Sequence, residues 1–158
     1  MRHQLHCGVY ALLHTRQHLL LVYKKRGPYK GLWDLPGGRQ ESGESLLETL
    51  NRELQEEIGA SFQKAEFLGK KMLEKNYLSA EGPLKLHHTA YLFSALLENS
   101  RFSLSQPFSI DSSEDTSKAE WKHIYDDFHQ FSPLAQIACR SLFHPPRSAE
   151  APDITRTP

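Results

Sequence analysis

Apolar residues run along the chain in two rhythms, and each predicts its own kind of element. Leu5 to Leu13 and Leu19 to Tyr23 are apolar runs separated by the polar Thr15-Arg16-Gln17. This spacing predicts a hairpin whose second arm, from His18 to Val22, is apolar enough to be a central strand. Trp33 and Leu35 alternate around Asp34, and Pro36-Gly37-Gly38 is expected to stop that strand. The rhythm then turns helical. Leu46, Leu47, Leu50, Leu54 and Ile58 line up as one stripe at about 100° per residue. Gly43 and Ser45 mark the start, Glu44 is expected in the first turn where it suits the dipole, and Gly59 closes the helix.

Two extended stretches follow, about Phe67 to Leu78 and Leu84 to Leu97, joined by Ser79 to Pro83. In the second, His88, Ala90, Leu92 and Ser94 face one way and Thr89, Tyr91, Phe93 and Ala95 the other. Mostly apolar residues on both faces predict helices covering a mixed sheet. Asn99 to Lys118 is polar and expected to be a mobile loop, Glu120 to Tyr125 a short last strand, and Phe131 to Phe143 a packing helix through Leu134, Ile137, Ala138 and Leu142. The order is β-β-turn-α-β-β-β-α. It predicts one domain over 1–143 and a proline-rich tail, 144–158, expected to be disordered.

Composition narrows the function classes. At 158 residues the chain can bury a core without staples, and its 19 basic residues balance 19 acidic ones. Zero net charge argues against a general binder of nucleic-acid polymers or membrane surfaces, so phosphate recognition has to be local. Cys7 and Cys139 stand apart without metal spacing and are expected to be reduced thiols. With no secretory signal and no apolar span near the ~20 residues a membrane helix needs, the expected location is cytoplasmic. His87 and His88 are adjacent and on a strand face opposite ways, which makes them a poor metal pair.

One stretch needs a further explanation. Glu53, Glu56 and Glu57 share a helix face and lie beside Leu46 and Leu50, at the edge of the apolar stripe. Like charges so placed repel, and partial burial raises the cost. Arg52 can pair with Glu56 at i,i+4, but one guanidinium does not neutralise three carboxylates, whereas Mg²⁺ seeks clustered oxygens. A solvated glutamate-rich face is the alternative.

The spacing to residues upstream separates the two. Gly38, then five residues, Glu44, then seven, Arg52-Glu53, Leu54, Gln55, Glu56-Glu57, Ile58 and Gly59 together resemble the Nudix box of the Nudix hydrolases, the family of the MutT-type nucleotide pyrophosphatases. Seven fixed residue types and one aliphatic position match by chance in a chain this long with a probability on the order of 10⁻⁷. Gly31-Leu32-Trp33-Asp34-Leu35-Pro36-Gly37-Gly38 resembles the lead into the box, while Ala60 stands where a larger aliphatic residue is usual.

The resemblance implies an α/β/α sandwich with a mixed sheet and a loop-helix-loop box, and Mg²⁺- or Mn²⁺-dependent cleavage of a nucleoside diphosphate linked to X. A (d)NTP cut to NMP and pyrophosphate is the first expectation; dinucleoside polyphosphates, ADP-ribose-type substrates and a non-catalytic nucleotide-sensing module are the alternatives. It further implies Glu53, Glu56, Glu57 and a carbonyl of Gly37 or Gly38 as metal ligands, and Glu44 and Arg52 as a supporting pair. The general base is open among Glu56 and Glu53 in the box and Glu114, Asp115 and Glu120 outside it, with Arg52 counted in the catalytic set.

For the substrate, Arg26 in the basic run Lys24-Lys25-Arg26 is either a phosphate contact or a solvated strand end. Tyr10, Tyr29, Trp33, Tyr77 and Phe108 are candidate stacking partners, Trp33 and Tyr77 first among them. Tyr77 lies near where dinucleoside-polyphosphate-cleaving members carry a tyrosine. Lys75 and Asn76 occupy the region where ADP-ribose-cleaving members carry a proline. The expected partner is a nucleotide, with a monomer or homodimer as assembly.

Overall fold

The computed structural model describes residues 1–98 and 116–143. The expected tail (144–158), most of the expected loop with Glu114 and Asp115, and Phe108 lie outside the described residues. Four strands, β1 (Arg2–Leu12), β4 (Gly37–Arg39), β5 (Phe62–Ser79) and β6 (Gly82–Leu97), make a mixed sheet in the order β4-β1-β6-β5. Within it β1 runs parallel to β6, and the other pairings are antiparallel. A second sheet holds β2 (His18–Lys24), β3 (Trp33–Asp34) and β7 (Thr116–His123) in the order β3-β2-β7, both pairings antiparallel. The expected hairpin is therefore shared between sheets, joined only at its base, where Leu20 N–H donates to Leu13 O at 2.9 Å.

The box helix, α1 (Leu46–Ile58), and α2 (Pro133–Phe143) cover opposite faces. Period-2 alternation assigns the residues: Val9, Ala11, Leu13, Leu20 and Val22 pack with Leu50, Leu54 and Ile58 of α1. Tyr10, Leu12, Leu19 and Leu21 pack with Leu134, Ala135, Ala138 and Cys139 of α2. On β6, Ala90 and Leu92 join the α2 side while Tyr91, Phe93 and Ala95 join the α1 side, as the alternation predicted. Among the described residues no helix is long and apolar enough to cross a membrane.

Several expectations need correction. The strand at Trp33 does stop, at Asp34, but Gly37–Arg39 then forms a strand of the other sheet, paired with β1 through Tyr10↔Gly37 and Val9↔Gly38. Glu44 precedes the helix, which Ser45 caps by accepting from Glu48 N–H while the Glu48 side chain accepts from Ser45 N–H. Leu47 faces solvent at 45% exposure, and Thr49 takes the buried position beside Leu50. The outer stretch of β5 is not covered by helices, since Phe67, Leu68, Met72 and Leu78 are exposed. The last strand starts at Thr116, inside the stretch expected as loop.

Candidate functional site

The chain from Trp33 to Arg39 crosses from one sheet to the other, and at the crossing Pro36 O accepts from Ala11 N–H at 2.8 Å. A cavity of about 390 Å³ opens there. Gly37, Gly38, Arg39, Glu53, Glu57, Lys24 and Arg26 give it a charged end; Gln4, His6, Tyr10, Tyr29, Tyr77 and His88 give it an uncharged aromatic and polar wall, and Asp34 also lines it.

At the charged end the box helix lays two carboxylates one turn apart against β4. Glu57 is 4% exposed. Its Oε2 accepts from Gly37 N–H at 2.8 Å, and its Oε1 lies 3.2 Å from Lys24 Nζ. Burial pushes its carboxyl up to about 7, against the opposing pull of Lys24 and the Gly37 N–H. Glu53 is half-buried and also raised, burial outweighing the hydrogen bond from Arg52 Nη1 at 3.0 Å. A Cβ on Gly38 would stand 2.5 Å from the Glu53 carboxyl carbon, so only bare backbone lets that carboxylate rest there. Gly37, at φ 142°, runs so close to Val9 O and Tyr10 Cα that a side chain is excluded.

Arg52 is the hub of the outer shell. Its Nε and Nη2 donate to the two Glu44 oxygens at 2.6 and 3.0 Å, and Nη2 also donates to Arg39 O at 2.9 Å. Thr49 Oγ1 donates to Glu44 as well, at 2.7 Å. The Arg52 guanidinium, with Thr49 and the Glu41 N–H, draws the Glu44 carboxyl down to about 2. Glu44 and Arg52 are thus ion-paired beside the charged end. Glu56 sits outside the cavity lining, its side chain 53% exposed and 3.4 Å from Arg52 Nη1.

Among the described residues, no three His, Cys, Asp or Glu side chains are gathered around one ion position. Two desolvated carboxylates seated on glycine backbone, one of them already drawing a buried ammonium, nonetheless suit a divalent cation in donor chemistry. Gly37 gives its N–H to Glu57.

The aromatic wall is tied together by His88, which is 2% exposed. Its Nε2 lies 2.9 Å from Tyr10 Oη and its Nδ1 3.1 Å from Tyr29 Oη, while His6 Nε2 lies 3.2 Å from Tyr10 Oη. Burial lowers His6 and His88 to about 4, so both are neutral near pH 7 and each ring offers one donor and one acceptor. Gly8 makes room for the Tyr10 ring, which a Cβ there would strike at 2.6 Å. Asp34, 1% exposed and raised by burial, accepts from Leu35 N–H at 2.9 Å and from Ser132 Oγ at 2.5 Å.

Of the expected substrate residues, Arg26, Tyr10, Tyr29 and Tyr77 line the cavity, and Tyr77 Oη donates to Gln4 Oε1 at 3.2 Å. Trp33 does not: it is buried at 3% exposure, packed against Tyr23 and covered by Lys118 and Lys122. Glu120 is also outside the lining, held between Lys118 and Lys122 on β7. Gln4, His6, Asp34 and His88 were not singled out from the sequence as site residues. The alternation that placed His88 opposite His87 was the available signal for His88, since it points that ring inward.

The sequence model of the NUDIX domain matches residues 2–135. The chain belongs to the Nudix family. Among curated relatives, a putative 8-oxo-dGTP diphosphatase of Bacillus subtilis (strain 168) is 50% identical over 48 residues, 30% of each chain. The 8-oxo-dGDP phosphatase NUDT18 of Homo sapiens is 40% identical over 47 residues, 30% of this chain and 15% of that one. An ADP-ribose pyrophosphatase of Methanocaldococcus jannaschii is 38% identical over 52 residues, 33% of this chain and 31% of that one. The similarity thus spans a third or less of those relatives' length. Of solved structures, the MutT NUDIX hydrolase from Burkholderia pseudomallei superposes with a TM-score of 0.59 at 22% identity, over 88% of this chain and 98% of that one. This likeness shows that the Nudix chain has the Nudix fold.

Proposed function

We propose that this Nudix chain is a divalent-metal-dependent nucleotide diphosphatase, with a (d)NTP cleaved to NMP and pyrophosphate as the leading reaction. The observation that carries this reading is the union, in one cavity, of Glu53 and Glu57 on glycine backbone with the cations Lys24, Arg26 and Arg39. A diphosphate is a polyanion that the three cations can bind, while the neutral Tyr10, Tyr29, Tyr77, His6 and His88 wall suits an uncharged planar base. Glu53 and Glu57, with Glu56 of the same helix, would hold Mg²⁺ or Mn²⁺, which supplies charge neutralisation and a more acidic water. Arg52 orients Glu53 and Glu56 from behind. Glu53, inside the cavity, and Glu56, outside its lining on the same helix, are the proposed acids for taking a proton from water. Glu120 lies outside the lining, ion-paired with Lys118 and Lys122.

The named activities of the relatives place 8-oxo-dGTP and ADP-ribose in the test panel, and Tyr77 in the lining keeps dinucleoside polyphosphates there. The free thiols Cys7 and Cys139 support a reducing, cytoplasmic setting. The deciding experiment incubates wild type and Glu57→Gln with each nucleotide and Mg²⁺ or Mn²⁺, and resolves products by ion-exchange chromatography. Metal-dependent release of NMP and pyrophosphate, lost in Glu57→Gln, is expected. No turnover with either metal, or an undiminished rate in the variant, overturns the proposal.

A further inference from the structure

Lys24 is the least exposed cation of the charged end: its side chain is 16% exposed and that of Glu57 4%. Both arms of Glu57 are committed, one to Gly37 N–H and the other to Lys24 Nζ. A second carboxylate, Glu53, lies one turn away and raises the cost of the Glu57 charge. A buried carboxylate left without a cation is strongly destabilising, so the metal-free protein needs Lys24 where it stands. The same Oε1 is one of the oxygens a divalent ion would use. An ammonium and a doubly charged ion cannot both sit against it, because at a few ångströms their mutual repulsion in a poorly solvated site is large.

We propose that Lys24 is a resident counter-ion that a divalent metal has to displace from Glu57, and that the released ammonium turns to the substrate diphosphate between Arg26 and Arg39. This rests on the metal-binding reading of the box given above. Lys24 is then a positioning residue with two stations, carboxylate in the metal-free protein and phosphate in the loaded one. It weakens metal binding when no nucleotide is present and couples the two ligands positively. The coupling is reciprocal: whatever factor nucleotide adds to metal affinity, metal adds to nucleotide affinity.

The test is Mn²⁺ binding alone, by isothermal titration calorimetry, to wild type, Lys24→Gln and Lys24→Arg. Glutamine keeps a hydrogen bond to Glu57 without the charge, and arginine keeps the charge. Lys24→Gln is expected to bind Mn²⁺ roughly 5- to 150-fold more tightly than wild type, the usual span of a coupling energy, with Lys24→Arg close to wild type. Addition of a non-hydrolysable nucleotide should tighten Mn²⁺ binding in wild type and much less in Lys24→Gln. A structural role alone would lower stability without raising metal affinity. Should Lys24→Gln fail to fold, wild type answers alone: amine acetylation of Lys24, read by peptide mass spectrometry, is expected to accelerate on adding Mn²⁺. Mn²⁺ affinity equal or weaker in Lys24→Gln, or acetylation unchanged by Mn²⁺ where Mn²⁺ binds, overturns the displacement and leaves the diphosphatase reading standing. Mn²⁺ binding to none of the proteins overturns both.

Discussion

Glu44 and Glu57 are the same side chain at opposite ends of one helix, and the protein drives them in opposite directions. Arg52, Thr49 and the Glu41 N–H satisfy Glu44 so fully that its carboxyl falls to about 2. Burial lifts that of Glu57 to about 7 despite Lys24 and the Gly37 N–H. The satisfied carboxylate has no capacity left for a ligand and serves to hold Arg52. Glu57 has fewer partners, the Gly37 N–H and Lys24, and is the one proposed above to take a metal ion. Site chemistry here follows from the shortfall in partners rather than from residue type.

The largest expected break in this contrast is in catalysis. Glu57→Gln should lower kcat with Mg²⁺ on the order of 10³-fold, the loss of several kcal/mol of charge stabilisation. Glu44→Gln, which acts only through Arg52, should cost roughly 10- to 100-fold, as partners of ligands typically do. Equal losses in steady-state assays would erase the distinction. Next comes Gly38→Ala: the added Cβ displaces the Glu53 carboxylate, and Mn²⁺ affinity by calorimetry is expected to fall roughly 10-fold or more while the fold is retained.

The smallest effects, and the sharpest in sign, are those of pH on metal-free stability. Glu57 binds a proton more tightly folded than unfolded, so its contribution is favourable below its ordinary value of 4.5 and is lost as pH rises through about 7. Between those limits wild type should lose up to about 1.4 kcal/mol per pH unit relative to Glu57→Gln. Glu44 runs the other way: its contribution is present above 4.5 and is lost as pH falls towards about 2, and Glu44→Gln should flatten that acid limb. His6 and His88, held neutral by burial, lose stability as pH falls from 6.5 to about 4. For that reason the Glu57 slope has to be read as a difference between variant and wild type, in thermal melts across pH 3 to 8.

How much of this was legible in the sequence followed the range of the interactions. The box helix was, because its stripe, its Ser45 cap and its Gly59 stop are all local. Leu47 misled because it sits at the margin of the stripe, and burial there went to Thr49, whose hydroxyl serves Glu44. The two faces of β6 were legible from alternation alone. Of the aromatic wall, Tyr10, Tyr29 and Tyr77 were candidates from the sequence, but His6 and His88 were not, since placing them requires knowing that β1 lies beside β6 in a register that sets Tyr10 near His88. Trp33 misled for a related reason: its ring is spent on Tyr23 and on two lysines of β7, a strand distant in sequence.

The pairing of β1 with β6, with Cys7 opposite Thr89 and Leu12 opposite Ser94, also sets the order in which the protein can be built. Such distant partners make chain closure slow. As the polypeptide emerges from the ribosome, Glu53 and Glu57 are made well before His88. On the proposed function, the end that would hold a cation is therefore synthesised before the wall that would face a nucleobase is complete.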